Sequence, residues 1–458
     1  MKGLLRMGET LLEVLIMTVL YIVVLRLWDA NTGIFGYMYR GKYVLMGTYG
    51  ILLLVVFFNS DCIMFGQLRI PDLIIGQLIS LTAVNMITYL QLCLMAEQVL
   101  PVSFMLVLLV IEFLCSVALV LLYQNIYLKL YSPHDILMVY GSKRAVILKI
   151  KMDSRPEKYH VTELISADAG FEEICRRMET HDSVALNEVP IELRNKLLTY
   201  CYRKRIRVYV APELTDIMLR GAVNNKLFDV PLFLVKGTGL TPGQRIVKRA
   251  MDILLCSIAM IPAAPIMLLV ALAIKLEDGG PVFYKQKRLT RNAREFEILK
   301  FRSMIVNAEK QEKAVLATER DPRITKVGRF IRATRLDELP QLLNILKGDM
   351  SIVGPRPERR CFADEFSQSV PEFDFRLKVR GGLTGYAQIF GKYNTTAYDK
   401  LRLDLMYIEN YSLLLDIRLM ILTLRIIFSK DSTEGVDVAV ENEKLAEQLL
   451  HEDENEQN

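Results

Sequence analysis

Arg335-Leu336-Asp337-Glu338-Leu339-Pro340-Gln341-Leu342 sets two adjacent carboxylates at the expected start of a helix. Cations surround that stretch in the sequence: Lys300, Arg302, Arg329, Arg332, Arg335 and Arg356. A carboxylate pair ringed by Lys and Arg suits chemistry on a phosphorylated, metal-chelating substrate. Other designs drop out. The four histidines are 134, 160, 181 and 451, so none lies between Arg245 and Lys430. A Ser-His-Asp or Cys-His mechanism built within that region is excluded. No GxxxxGK[ST] phosphate loop is present, and no Asp-x-Asp lies near the basic residues. What remains is nucleophilic catalysis by a carboxylate with cationic and metal stabilisation. Pro340 suits the first turn of the following helix and Gly348 its end, which puts Asp337 and Glu338 at the positive end of its dipole. Taken alone, such a pair is more often a helix cap than a catalyst.

The elements that must position these groups are partly membranous. The chain has 458 residues, enough for two to four domains, and 52% of them are hydrophobic. Its mean hydropathy is positive, which points to membrane segments. The net charge of +5 is modest and unevenly distributed, and no nucleic-acid partner is expected. Seven scattered cysteines form no CxxC pair and read as reduced residues. Lys2 and Arg6 precede an apolar run with no small-residue cleavage site, as in a retained anchor. Apolar runs at 11–27, 43–65, 73–95 and 102–123 approach the roughly 20 residues a span requires. Asn59, Asp61, Asn85 and Gln91 interrupt them and are expected to face neighbouring helices. The domain 1–130 thus reads as a four-helix transmembrane bundle, with both ends cytoplasmic because basic segments follow Tyr123.

Between 131 and 240 the pattern changes. Expected strands at 136–140, 159–166, 183–186 and 206–211 alternate with helices at 169–178, 190–203 and 212–220. That alternation predicts a parallel, Rossmann-like α/β layer with a structural or regulatory role. Gly141-Ser142-Lys143-Arg144-Ala145 follows the first strand with one glycine, so the GxGxxG dinucleotide fingerprint fails. A linker around Gly237–Gly243 leads to the apolar run 251–274, interrupted by Pro262 and Pro265 and flanked by bases on both sides. A mid-helix proline costs about 3 kcal/mol or more unless compensated. Two of them with two basic flanks fit a re-entrant helix; a fifth span is the competing reading. The segment 413–428 reads as an interfacial helix, because Asp416, Arg418 and Arg425 would be costly at bilayer depth. The acidic stretch 431–458 reads as a tail.

Seven motifs then accumulate in order. They are Lys248-Arg249-Ala250-Met251-Asp252, Gly280-Pro281-Val282-Phe283-Tyr284-Lys285-Gln286, Leu299-Lys300-Phe301-Arg302-Ser303-Met304, Asp321-Pro322-Arg323-Ile324-Thr325, Leu336-Asp337-Glu338-Leu339-Pro340-Gln341, the run from Met350 through Gly354-Pro355-Arg356-Pro357, and Gly382-Leu383-Thr384-Gly385-Tyr386-Ala387-Gln388. Together, over about 248–428, they resemble the bacterial sugar transferases, the polyprenyl-phosphate glycosyl-1-phosphate or monotopic phosphoglycosyl transferases. With the preceding spans and α/β domain, the chain looks like the long subclass, which starts capsule, exopolysaccharide or O-antigen repeat units. Thr290 and Ala293 stand where the family usually has glycines, and Gly381 where it usually has proline.

The resemblance implies a mainly helical catalytic domain at 245–430 on the cytoplasmic face of the bacterial inner membrane. Asp337 would attack the β-phosphorus of a UDP-sugar and release UMP, and undecaprenyl phosphate would then take the phosphosugar. Glu338, with Asp337, would hold Mg²⁺ or position the acceptor. Arg356 would clamp phosphate, with Lys300, Arg302 and Arg332 neutralising the remaining charge. Arg288, Arg291, Arg294, Arg323 and Arg329 are expected at the solvated or lipid-headgroup surface. A homodimer is expected. A catalytically inactive scaffold, and a glycosyltransferase releasing UDP, are the alternatives.

Overall fold

The computed structural model describes residues 2–32, 41–60, 62, 65, 68–131, 133–142, 147–306, 321–391 and 395–428. Asp61, the loop positions Lys143 to Ala145 and the expected acidic tail lie outside the described residues. The chain forms two compact units, which meet in sequence at Ala211 and Pro212.

The first unit begins with four helices: α1 (Lys2–Thr32), α2 (Gly41–Asn59), α3 (Ile70–Ala96) and α4 (Ser103–Leu130). α1, α3 and α4 are long and apolar enough to cross a membrane, whereas the apolar part of α2, Tyr43–Asn59, is shorter. The expected second run to 65 therefore overshoots. α2 stops at Asn59, whose Nδ2 donates to Val55 O of its own helix at 2.8 Å and not to a neighbouring helix. Tyr21 stacks on Tyr49 in the bundle core, beside Met17, Leu53, Phe57, Leu81 and Leu108. Asn85 is buried there and donates to Glu112 at 2.7 Å, a contact between helices.

The same unit continues through β1 (His134–Tyr140), α5 (Ile147–Asp153), β2 (Tyr159–Ser166), α6 (Phe171–Met178), β3 (Ser183–Asn187), α7 (Ile191–Lys204) and β4 (Arg207–Val210). The strands form one parallel sheet in the order β2-β1-β3-β4. Ile136 to Val139 are completely buried, as expected of a parallel strand covered on both faces. Gly141 serves a close backbone approach: a Cβ there would lie 1.9 Å from Glu188 O.

The second unit runs through α8 (Leu214–Arg220), the hairpin β5 (Val223–Leu227) and β6 (Val230–Leu234), α9 (Pro242–Asp278), the hairpin β7 (Phe283–Leu289) and β8 (Glu295–Phe301), α10 (Lys326–Ala333) and α11 (Gln341–Lys347). It closes with β9 (Ser351–Val353), α12 (Arg360–Ser369), β10 (Gly382–Thr384), α13 (Tyr386–Phe390), α14 (Ala397–Glu409) and α15 (Leu413–Phe428). The second compact unit starts at Pro212, ahead of the boundary expected near 240. α8 completes the α/β alternation in sequence, but Leu214, Ile217 and Leu240 are buried against Val353, Phe373, Leu401 and Leu405. Both hairpins were also unforeseen. At the β7–β8 turn, Asn292 and Ala293 take φ of 58° and 56°, the left-handed conformation that favours glycine.

α9 is a single 37-residue helix that contains Pro262 and Pro265 and extends well beyond the expected 251–274. Thr241 and Gln244 form its capping box. Its start is tied down by three side chains. Arg249 donates to Ile345 O and Leu346 O at 2.5 and 2.6 Å, closing the end of α11. Asp252 accepts from Ser351 Oγ and Ile352 N, both at 3.0 Å. Lys248 pairs with Asp416 at 2.6 Å. Its end is tied to the same unit. Glu277 accepts from Lys326 N and Val327 N at 2.8 and 3.2 Å, and Asp278 pairs with Arg302. Between these anchors the outer face is apolar and bare, with Ile261 at 76% and Leu268 at 72% exposure. On α15, Asp416 is wholly buried, held by Lys248 and by Tyr407 Oη at 2.8 Å. Its charge is therefore answered inside the protein and is no guide to bilayer depth.

Candidate active site

Two helices and a hairpin bring the carboxylates to their cations. Thr325 caps α10 by accepting from Gly328 N at 2.9 Å. Arg335 then turns the chain with φ of 55°, a left-handed conformation a non-glycine residue adopts at a cost. Leu336–Glu338 form one 3₁₀ turn, and α11 starts after it, with Pro340 at its N-cap position. The carboxylates thus sit one turn before the helix they were expected to start. Neither caps it, since no side-chain cap bond is present at either element.

Glu338 is committed elsewhere. Lys300 Nζ on β8 donates to its Oε1 at 2.7 Å, and Arg356 donates to the same oxygen at 3.3 Å. Burial raises the Glu338 carboxyl, but the charges of Arg356 and Lys300 outweigh it and hold the group far below the usual carboxylate range. Asp337 moves the other way. Burial, helped by the neighbouring Glu338 charge, raises it, and Lys300, Arg332 and Arg356 oppose that rise without cancelling it. The two carboxylates differ because one has two cations in contact and the other has none in hydrogen-bonding reach among the described residues.

Arg356 is itself held in place from behind. Its loop is pinned by Gly354 N to Thr384 O at 2.8 Å and by Gly382 N to Pro355 O at 2.9 Å. Arg376, almost fully buried, donates to Arg356 O at 3.0 Å and pairs with Asp404 at 2.7 Å. Glu358 lies among Lys400, Arg376 and Arg288. Burial raises its carboxyl, but Lys400 and Arg376 bring it down to about 2. Burial at the same time lowers the Lys400 ammonium, so the two partners shift in opposite senses as regards charge; the tight ion-pair geometry argues that both stay charged.

Two expectations need correcting. Arg302 is not gathered around Glu338. It is 7% exposed and pairs with Asp278, tying the end of α9 to β8. Gly280 makes room for it, since a Cβ there would lie 2.1 Å from its guanidinium. Arg288 and Arg323 are not free surface charges either. Arg288 donates to Pro357 O at 3.1 Å, and Arg323 grips Asp321, whose carboxyl falls to about 2 through that hydrogen bond. Arg332 acts electrostatically on both Asp337 and Asp321. Sequence reasoning missed Glu358, Arg376, Lys400 and Asp404. Only Glu358 carried a signal, as the residue after Gly354-Pro355-Arg356-Pro357.

Asp337 and Glu338 are the side chains that could hold a divalent cation. No group of three or more His, Cys, Asp or Glu converges among the described residues. Two carboxylates still fit Mg²⁺, which is bound through one or two carboxylates with substrate phosphates supplying further oxygens.

Residues 243–430, the span that contains this entire cluster, match the bacterial sugar transferase family. The chain is also 39% identical over 190 residues to a UDP-glucose:undecaprenyl-phosphate glucose-1-phosphate transferase of Caulobacter vibrioides, covering 71% of that protein and 40% of this chain. The chain belongs to the bacterial sugar transferase family. It is 45% identical over 238 residues to the UDP-N-acetylgalactosamine-undecaprenyl-phosphate N-acetylgalactosaminephosphotransferase of Aeromonas hydrophila, spanning 51% of this chain and 55% of that protein. A third relative is the UDP-glucose:undecaprenyl-phosphate glucose-1-phosphate transferase of Escherichia coli, 40% identical over 221 residues, or 47% of each chain. The chain thus spans about half the length of these last two relatives. The family match begins after α8 and the β5–β6 hairpin, so those elements are additions to the matched region.

Proposed function

We propose that this chain transfers a sugar 1-phosphate from a UDP-sugar to undecaprenyl phosphate and releases UMP, as an early membrane step of exopolysaccharide, capsule or O-antigen synthesis. The observation that carries the reading is Glu338 fixed by Lys300 and Arg356 beside a carboxylate, Asp337, that is left uncommitted. It lies in the region shared with relatives named as undecaprenyl-phosphate sugar phosphotransferases.

In this reading an Asp337 carboxylate oxygen attacks the β-phosphorus, and the bond from that phosphorus to the UMP oxygen breaks. The phosphosugar is then carried on Asp337 until an oxygen of undecaprenyl phosphate attacks the same phosphorus and frees the carboxylate. Arg356 and Lys300 hold the phosphate oxygens against the charge of the attacking group. Arg332 adds to that field. Mg²⁺, bound through Asp337 and Glu338, would supply further charge neutralisation of the diphosphate.

The membrane arrangement belongs to the same reading. α9 is re-entrant: both of its ends are bonded to one compact unit, through Arg249 and Asp252 at the start and Glu277 and Asp278 at the end. Anchoring of both ends to one unit supports both ends lying on the same face of the bilayer. The bare apolar face between them supports insertion into one leaflet of the inner membrane, with the catalytic unit cytoplasmic. The all-parallel sheet supports a doubly wound α/β reading of 134–210, and its order β2-β1-β3-β4 is the flavodoxin-like one, not the classic dinucleotide-binding order. A homodimer is retained in this proposal, and the exposed apolar hairpin β5–β6 offers a surface for it. The test is a panel of UDP-sugars incubated with the full chain and undecaprenyl phosphate. UMP as the nucleotide product supports the proposal. UDP would indicate transfer of the sugar without its phosphate, and no nucleotide release from any sugar would favour a scaffold.

A further inference from the structure

The α1–α4 bundle encloses carboxylates that the transfer reaction does not use. Glu13 on α1 and Glu112 on α4 are both 0% exposed. Their surroundings differ sharply. Glu112 accepts one hydrogen bond on each oxygen, from Tyr49 Oη at 2.5 Å and from Asn85 Nδ2 at 2.7 Å. Neither oxygen of Glu13 has a hydrogen-bond partner. The side chain facing it is Gln77 on α3, also 0% exposed. Gln77 Oε1 already accepts from Ser116, and its Nε2 is unpartnered. Among the described residues, Cys115 and Tyr123 on α4 act electrostatically with Glu13; Cys115 also feels Glu112 and Tyr123 also feels Glu9, and the Tyr49 hydroxyl of α2 is engaged with Glu112.

An ionised carboxylate sealed in an apolar bundle needs a cation or, as at Glu112, hydrogen-bond donors, because its desolvation cost is otherwise prohibitive. No described base pairs with Glu13. A metal ion would need convergent ligands, and no group of three or more His, Cys, Asp or Glu converges among the described residues. The cation left is a proton. It forms an O–H bond on one Glu13 oxygen and leaves the other as a neutral acceptor for the Gln77 amide. We propose that Glu13 is a proton-binding site in the interior of the four-helix bundle, distinguished from Glu112 by its lack of hydrogen-bond donors. The inference rests on the bundle being membrane-embedded and is independent of the transfer reaction. Release of the proton would strand a charge, so the bundle would have to admit water or a cation to Glu13.

The test uses the full chain in lipid nanodiscs. Dicyclohexylcarbodiimide, a lipid-soluble electrophile that takes the proton of a carboxylic acid on nitrogen and the carboxyl oxygen on its central carbon, is added and the modified peptide is located by mass spectrometry. The adduct is expected on Glu13, to fade as pH is raised, and to be absent from Glu13→Gln. An adduct on Glu112 with Glu13 untouched would overturn the proposal. Infrared spectroscopy decides independently of reagent access. Glu13→Gln keeps the shape of the protonated acid and should remove a carboxylic-acid carbonyl band. If it removes a carboxylate band instead, Glu13 is ionised and the proposal fails.

Discussion

At the scale of single residues, the two adjacent carboxylates are made unequal by their neighbours. Glu338 is spoken for by Lys300 and Arg356, whereas Asp337, the nucleophile of the proposed reaction, has no hydrogen-bonded cation among the described residues. Asp337→Asn is expected to abolish UMP release while the protein stays folded; near-normal release by a folded variant would remove Asp337 from the mechanism. Glu338→Gln leaves Lys300 and Arg356 without their carboxylate and is expected to lower kcat by about 100-fold or more. The pH dependence follows from opposite shifts. Asp337 must be ionised to attack and its folded pKa is raised, so activity should fall on acidification at a pH above the ordinary aspartate value of 3.8. A kcat/KM profile whose acidic limb lies at or below that value would contradict the assignment. Glu358 is depressed from 4.5 to about 2, so its contribution to stability is present above 4.5 and lost as pH falls through about 2. Glu338 has the same sign.

At the scale of elements, two devices set the site. The first is the buried fork of Arg376, which holds Asp404 with one side and the main chain of Arg356 with another. Lysine keeps the charge but loses the planar fork. Arg376→Lys should lower kcat/KM by about tenfold or more, against an unchanged pH profile, because Arg356 is displaced and not discharged. Unaltered kcat/KM in the folded variant would show that Arg356 holds its position unaided. The second is α9, anchored at both ends to one unit. Gln244 and Glu277 make poor reporters of its topology, since one closes the capping box and the other caps α10. Cysteines at Gly237 and Lys285, exposed positions on either flank, should both react with an impermeant thiol reagent from the same side in a variant otherwise free of cysteine. Reaction of one from each side would establish a span.

At the scale of the whole molecule, the boundary at Pro212 changes what a minimal catalytic fragment must contain. Leu214, Ile217 and Leu240 belong to the core that holds β9 and α14, and so to the support behind Arg356. Removing a buried Leu or Ile side chain costs about 2–5 kcal/mol. A fragment starting at Pro212 is expected to fold and release UMP, whereas one starting at Pro242 should melt at markedly lower temperature or fail to fold. Equal melting temperatures for the two would mean that α8 contributes nothing to that core. An inert but well-folded Pro212 fragment, beside an active full chain, would instead give the first unit a direct part in the chemistry.

The sequence alone carried much of what is written in local pattern, the two hairpins excepted. Apolar length marked the four bundle helices, although the second run overshoots Asn59, and the alternation of short apolar strands with helices marked the strands of the parallel sheet, from Ile136–Tyr140 to the strand at Arg207–Val210. Asp337, Glu338, Lys300 and Arg356 were legible because they stand inside short contiguous motifs. Tertiary structure decided what depends on residues distant in the chain. It sent Arg302 to Asp278, gave α8 to the catalytic unit, and built Arg376, Asp404, Lys400 and Glu358 into the wall behind Arg356. The reason is physical. A side chain's type and spacing set which bonds it can make, but a charge takes whichever partner the packing brings within about 4 Å, and that partner here lies 24 residues away for Arg302 and 28 for Arg376.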